Sequence, residues 1–218
     1  MNISVRVVWI IALLGWLFAA CGLAAWWRLR EDFLRLAQRH TQKNGIDPLT
    51  GLSLRDRFLE DAAVAVNRAQ RNGQPLSVIL VGIEDMHGIN QRHGHLGGDL
   101  VLKQLAEMCR ENLRDFDIVG RFSSEEVALV LVDTAESGAQ IVANRLLTRS
   151  SAHTVALPDG QQFEFGVGVG ISQLHDERET AEDLLLGADA DLALRRAARK
   201  PGSARVINGT PPAPAALA

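Results

Sequence analysis

The longest unbroken apolar stretch, "VVWIIALLGWLFAACGLAAWW" from Val7 to Trp27, holds no charged residue. At about 1.5 Å per residue it can cross a bilayer core of about 30 Å, which predicts one membrane helix over residues 1–27. Trp9 near one end and Trp26–Trp27 at the other suit the two interfacial belts. Beyond Trp27 the pattern becomes helical and polar. Leu29, Phe33, Leu36 and His40 recur at helix spacing, so residues 28–44 are expected to form a stalk or linker that could pair with a second copy.

From residue 45 to 206 the periods alternate, as in a folded domain. Ser53 is expected to cap a helix that turns Phe58, Leu59, Ala62, Ala63 and Val66 inward and ends at "RNGQP". "LSVILVGI", Leu76–Ile83, reads as a buried strand. "GDLVLKQLAEMCRENL" predicts a helix with Val101, Leu102, Leu105, Cys109 and Leu113 on its core stripe. "GRFSSEEVALVLV" predicts a hairpin, and "AQIVANRLL" another helix. "HTVALPDGQQFEFGVGVGIS" predicts two strands turned at Pro158–Gly160. The last helix follows Thr180 as its cap, and residues 207–218 form a Pro/Ala tail expected to be disordered. Helices interleaved with a central hairpin indicate an α+β domain, a sheet with helices packed on it.

Composition changes this picture in a few respects. With 47% hydrophobic residues the chain can fill a core, and a net charge of −3 argues against nucleic-acid binding. Arg6 precedes the apolar stretch, whereas Arg28, Arg30, Arg35, Arg39 and Lys43 follow it, which places the domain on the cytoplasmic side. "FAAC", ending at Cys21, resembles a lipoprotein cleavage site, but the apolar run continues beyond it and favours a retained span. Cys21 and Cys109 sit in unlike surroundings and suggest no disulfide framework.

The candidate chemistry is carried by acidic and basic residues at turns. Glu125 and Glu126 stand together at the hairpin tip, behind Ser123 and Ser124 where a phosphate-cradling loop would want glycine. His93-Gly94-His95 lacks a third ligand and reads as turn structure rather than a metal pair. Cys109 reads as a buried small hydrophobe.

Five landmarks occur in one order: "DPLTGL" (Asp47–Leu52), "INQRHGHLGGD" (Ile89–Asp99), "GRFSSEEV", "GVGVGIS" and "ADLALRRA" (Ala190–Ala197). Together they resemble the GGDEF, or diguanylate cyclase, family over Asp47 to Val206. The resemblance implies a palm-like fold with a central, mostly antiparallel sheet flanked by helices. It implies chemistry in which GTP molecules on two facing domains become cyclic di-GMP. That phosphoryl transfer would need two carboxylates for magnesium, glycines at the hairpin turn and basic residues on the phosphates.

Much of that equipment is absent. The first metal carboxylate of the family aligns with Gly82, and Glu84, two residues on, is displaced along an extended strand by roughly 7 Å. A weak alternative pairs Glu84 with Glu125. Ser123–Ser124 replaces Gly–Gly and Val127 replaces a phenylalanine. The phosphate-binding lysine aligns with Ala198 and the next basic residue with Gly202, leaving Arg199 and Lys200 nearby. Other features are in register. Asn90 and Asp99 align with guanine contacts, and both could instead cap local structure. Arg114 and Asp117 of "RDFD" align with the family's inhibitory RxxD site for cyclic di-GMP, with Arg145 in a supporting place; an exposed arginine and a strand-leading aspartate would look the same.

The expected protein is therefore a membrane-anchored, non-catalytic relative at the inner face of a bacterial membrane. It would bind cyclic di-GMP, relay the signal to a protein partner and need magnesium only for residual GTP binding. The alternatives are a ligand-free interaction module and a weak cyclase.

Overall fold

The computed structural model describes residues 45–198. The expected membrane helix, the stalk, Arg199, Lys200, Gly202 and the tail lie outside the described residues. Among the described residues no helix is long and apolar enough to cross a membrane.

In chain order the elements are β1 (Ser53–Leu54), α1 (Arg55–Asn72), β2 (Leu76–Ile83), α2 (Met86–Glu111), β3 (Ile118–Arg121) and β4 (Glu126–Val132). They are followed by α3 (Glu136–Ala152), β5 (Thr154–Ala156), β6 (Gln162–Glu164), β7 (Val167–Gln173) and α4 (Ala181–Ala198). The main sheet has the order β1-β3-β4-β2-β7 and is antiparallel except where β1 runs parallel to β3. β5 and β6 form a separate two-stranded sheet.

β2 is buried along its whole length because both its faces are covered. Ile79, Val81 and Ile83 pack with α2 and α3, while Leu76, Val78 and Leu80 pack with α1 and α4. A strand sandwiched in this way loses polar alternation, which is why it reads as a continuous apolar run. On β7 the α4-facing positions include Gly168 and Gly170. A β-carbon at Gly170 would collide with the carbonyl of Ala188, so glycine lets the helix backbone lie directly on the sheet.

Several expectations change. Ser53 is not a helix cap: it lies in β1, paired with Gly120, and α1 starts after Leu54 with no side-chain cap. A strand partner offered more backbone pairing than a cap would have. α2 begins twelve residues earlier than "GDLV" suggests, at Met86, with its chain broken at Gly94 (φ 69°, ψ 176°). Asn90 and Asp99 are therefore both inside helical segments rather than at caps, and Asp85 accepts from the Gly88 N–H at the start instead. The second strand expected after Pro158–Gly160 is split at Phe165–Gly166 into β6 and β7, because its halves join different sheets. Thr180 does cap α4: its hydroxyl accepts from Asp183 N–H at 3.2 Å, and Asp183 accepts in return from Thr180 N–H at 2.9 Å.

Candidate nucleotide sites

The hairpin between β3 and β4 closes without positive φ at either serine. Ser123 and Ser124 therefore carry none of the backbone strain that their replacement of glycine suggests. Polar bonds hold the turn instead. Phe122 N–H donates to the Glu126 carbonyl at 2.9 Å, and the Ser123 hydroxyl donates to Glu126 Oε2 at 2.9 Å. Arg121 donates to the carbonyls of Ser123 and Ser124, each at 3.2 Å.

Arg121 also reaches Asp47, whose Oδ2 accepts from Arg121 Nη1 at 3.0 Å, Thr50 N–H at 2.9 Å and Thr50 Oγ1 at 2.6 Å. Asp47 is only 6% exposed. Burial works against its charge, but the bonds from Thr50 and Arg121 outweigh it and hold the carboxyl below its ordinary pKa. Sequence reasoning placed Asp47 in a motif without giving it a role; the signal available was an acid four residues before a glycine in a turn.

Gly82 lies between Glu126 on β4 and Gly168 on β7, its register partners on either side. Of the two hairpin carboxylates, Glu126 faces Gly82: its Cγ is 3.5 Å from where a Gly82 β-carbon would stand. Glu125 is exposed at the tip, and its carbonyl accepts from Ile83 N–H at 3.0 Å. Glu84 leans over Gly166, with Oε2 2.7 Å from that glycine's missing β-carbon position. The space a side chain at 82 would fill holds the guanidinium of Arg196 from α4. A magnesium ion held there would need a carboxylate from residue 82 and would meet the Arg196 guanidinium instead. Like charges in contact repel strongly, so these residues do not fit a metal at that point. Among the described residues no three His, Cys, Asp or Glu side chains cluster closely enough to hold a metal. Ala198 is exposed at the end of α4.

Asn90 Oδ1 is buried with no hydrogen-bond partner and lies against Gly98. An unmet buried acceptor costs about 1–3 kcal/mol, which a donor from a ligand could recover. Asp99 is exposed. His93 stacks on Phe163 (ring centroids 4.0 Å apart, planes at 10°), which is packing. Cys109 is buried, and burial pushes its thiol up to about 12.

The Arg114–Asp117 turn is closed by its own polar groups. Asp117 Oδ2 accepts from Arg114 N–H at 2.9 Å and Oδ1 from Val132 N–H at 3.1 Å, fastening the turn to the end of β4. The Arg114 guanidinium stays exposed, 5.8 Å from the centre of the Phe116 ring, itself 54% exposed. Sequence reasoning passed over Phe116; a lone aromatic in a charged turn was its signal. Arg149 of α3 pairs with Glu111 at the end of α2 at 2.7 Å, and Arg145 is one helical turn before Arg149.

Comparison with known proteins gives the family and the fold. Residues 44–203 match the diguanylate cyclase GGDEF domain. The chain is 30% identical over 209 residues to the cyclic di-GMP phosphodiesterase NbdA of Pseudomonas aeruginosa, covering 88% of this chain and 26% of that protein. The fold matches the GGDEF domain of DgcB from Caulobacter crescentus in complex with cyclic di-GMP, with a TM-score of 0.68 and 20% identity, over 71% of this chain and 91% of that one. It also matches the diguanylate cyclase SiaD in complex with its activator SiaC, from Pseudomonas aeruginosa. There the TM-score is 0.67 and the identity 26%, over 89% of this chain and 78% of that one.

Proposed function

The chain belongs to the GGDEF, or diguanylate cyclase, family, and from that premise we propose that it is a non-catalytic receptor for cyclic di-GMP, anchored in a bacterial inner membrane. A GGDEF domain acts in cyclic di-GMP signalling, so the question is which part this one plays. The observation that carries the receptor reading is the Arg114 turn. Both Asp117 oxygens fasten it, so the guanidinium is presented outward from a fixed backbone beside an exposed aromatic ring. A guanidinium can grip phosphate in a paired geometry and stack on guanine, and a neighbouring ring adds a second stacking face. Arg145 on α3 would supply further positive charge.

The lack of catalysis is supported by Gly82, by Arg196 in the space beside it, and by Ala198 in place of a lysine. Asn90 and Asp99 keep a second place for guanine. Relay to a protein partner fits a fold shared with a cyclase solved with its activator, and pairing of stalks would make the receptor dimeric. Anchoring rests on the charge-free stretch Val7–Trp27 and the basic residues after it. A C-terminal reporter active only in the periplasm should stay silent; a strong signal would instead favour export through Cys21.

One observation favours the ligand-free interaction module. Each Asp117 oxygen already accepts a backbone N–H, leaving one lone pair apiece for a base. Calorimetry of the full chain with cyclic di-GMP separates the two. Arg114→Ala should weaken binding about ten- to a hundred-fold, as loss of a charge-assisted contact does. Absence of binding by the unaltered chain at about tens of micromolar would leave the interaction module in its place.

A further inference from the structure

On the α4 face of the sheet, Gly82 and Gly168 are cross-strand partners, and the trough left by their missing side chains is filled from α4 by Arg196 and, over Gly168, by Leu192. Arg196 lies along it. Its Cγ is 3.6 Å and its Nε 3.1 Å from the β-carbon position of Gly168, and its Cζ is 3.3 Å from that of Gly82. Nη2 occupies the Gly82 position itself, so any side chain there would displace the guanidinium.

The charge has been prepared for but not neutralised. Among the described residues Arg196 takes part in no ion pair, although its neighbour Arg195 is paired with Asp191 at 2.8 Å. Glu126 is the nearest hairpin acid; its Oε2 accepts from the Ser123 hydroxyl, and no ion pair joins its carboxylate to Arg196. An unpaired planar cation laid over two glycines is a site for an anion with several oxygens.

We propose that the Arg196 guanidinium takes the place of a divalent cation here, making the trough a metal-independent subsite for the phosphate chain of a nucleotide. A metal neutralises phosphate charge but must be recruited with it. A covalently held guanidinium offers the same sign of charge with five donors in a fixed plane and needs no carboxylate to hold it. The absence of a carboxylate at 82 then becomes part of the design, since an aspartate there would pair with Arg196 and cancel it.

This subsite stands independently of the Arg114 turn. Val132, which donates to Asp117, pairs with Leu76 at one end of β2, and Gly82 is six residues along that strand, about 20 Å away.

The test is the affinity of the full chain for GTP in excess EDTA and again in excess magnesium. Affinity in EDTA should equal that in magnesium within about two-fold. Arg196→Ala should weaken binding in EDTA about ten-fold or more. Arg196→Lys should keep part of it, because the charge remains while the paired geometry is lost. Arg195→Ala, which removes a charge from the same helix turn, should leave it unchanged. Binding that requires magnesium, no binding at about a millimolar, or an Arg196→Ala chain that binds like the unaltered one would each overturn the proposal.

Discussion

Arg121 and Asp47 join the entry of the domain to the tip of its hairpin through an ion pair of 3.0 Å, with side chains only 19% and 8% exposed. The same guanidinium donates to both serine carbonyls of the turn, so one side chain sets the position of "SSEE" relative to "DPLTGL". Removing either partner leaves a poorly hydrated charge behind, which costs about 3 kcal/mol in comparable pairs. Arg121→Ala should lower the unfolding midpoint accordingly in a denaturant titration. The folded pKa of Asp47 lies below its unfolded value, so its contribution is complete above that value and is lost as pH falls through the folded one. Stability should therefore drop below about pH 4, and Asp47→Asn should be less stable at neutral pH but shallower in that acid limb.

Gly82→Asp alone should not create a working metal site. The new carboxylate would meet Arg196 and form a salt bridge rather than bind magnesium. The unaltered chain incubated with Mg-GTP should give no cyclic di-GMP above a no-protein control, and Gly82→Asp should give none either. Combining Gly82→Asp with Arg196→Ala should restore metal binding by calorimetry, without product while Ala198 lacks its lysine. Sustained product from the unaltered chain would establish the weak cyclase instead.

Cys109 is fully enclosed by the α2 core, and its thiol is pushed up to about 12 by burial. Since the thiolate is the reactive form, native Cys21→Ser protein should resist a thiol reagent at pH 8 and react fully only once unfolded. Rapid modification of the native protein would show that this part of the core opens readily.

Much of this protein is determined by its sequence alone. Apolar residues at a period of two or 3.6 report burial of one face by a local segment, so the helices and central strands could be placed before any contact was known. The lack of a carboxylate at Gly82 and the spacing of Arg114 and Asp117 are equally plain. What required the tertiary structure was every relation set by strand register or by one element lying on another. Ser53 became a strand residue because Gly120 was there to pair with it. Glu126 rather than Glu125 faces Gly82 because the β2–β4 register puts it opposite. The serine turn proved unstrained because Arg121 and the Ser123 hydroxyl close it through side-chain bonds. Arg196 is adjacent to Gly82 although 114 positions separate them along the chain, because α4 packs on β7 across glycines that admit its backbone. Local pattern carries information about which face is buried; it carries none about which distant side chain fills the space that a missing one leaves.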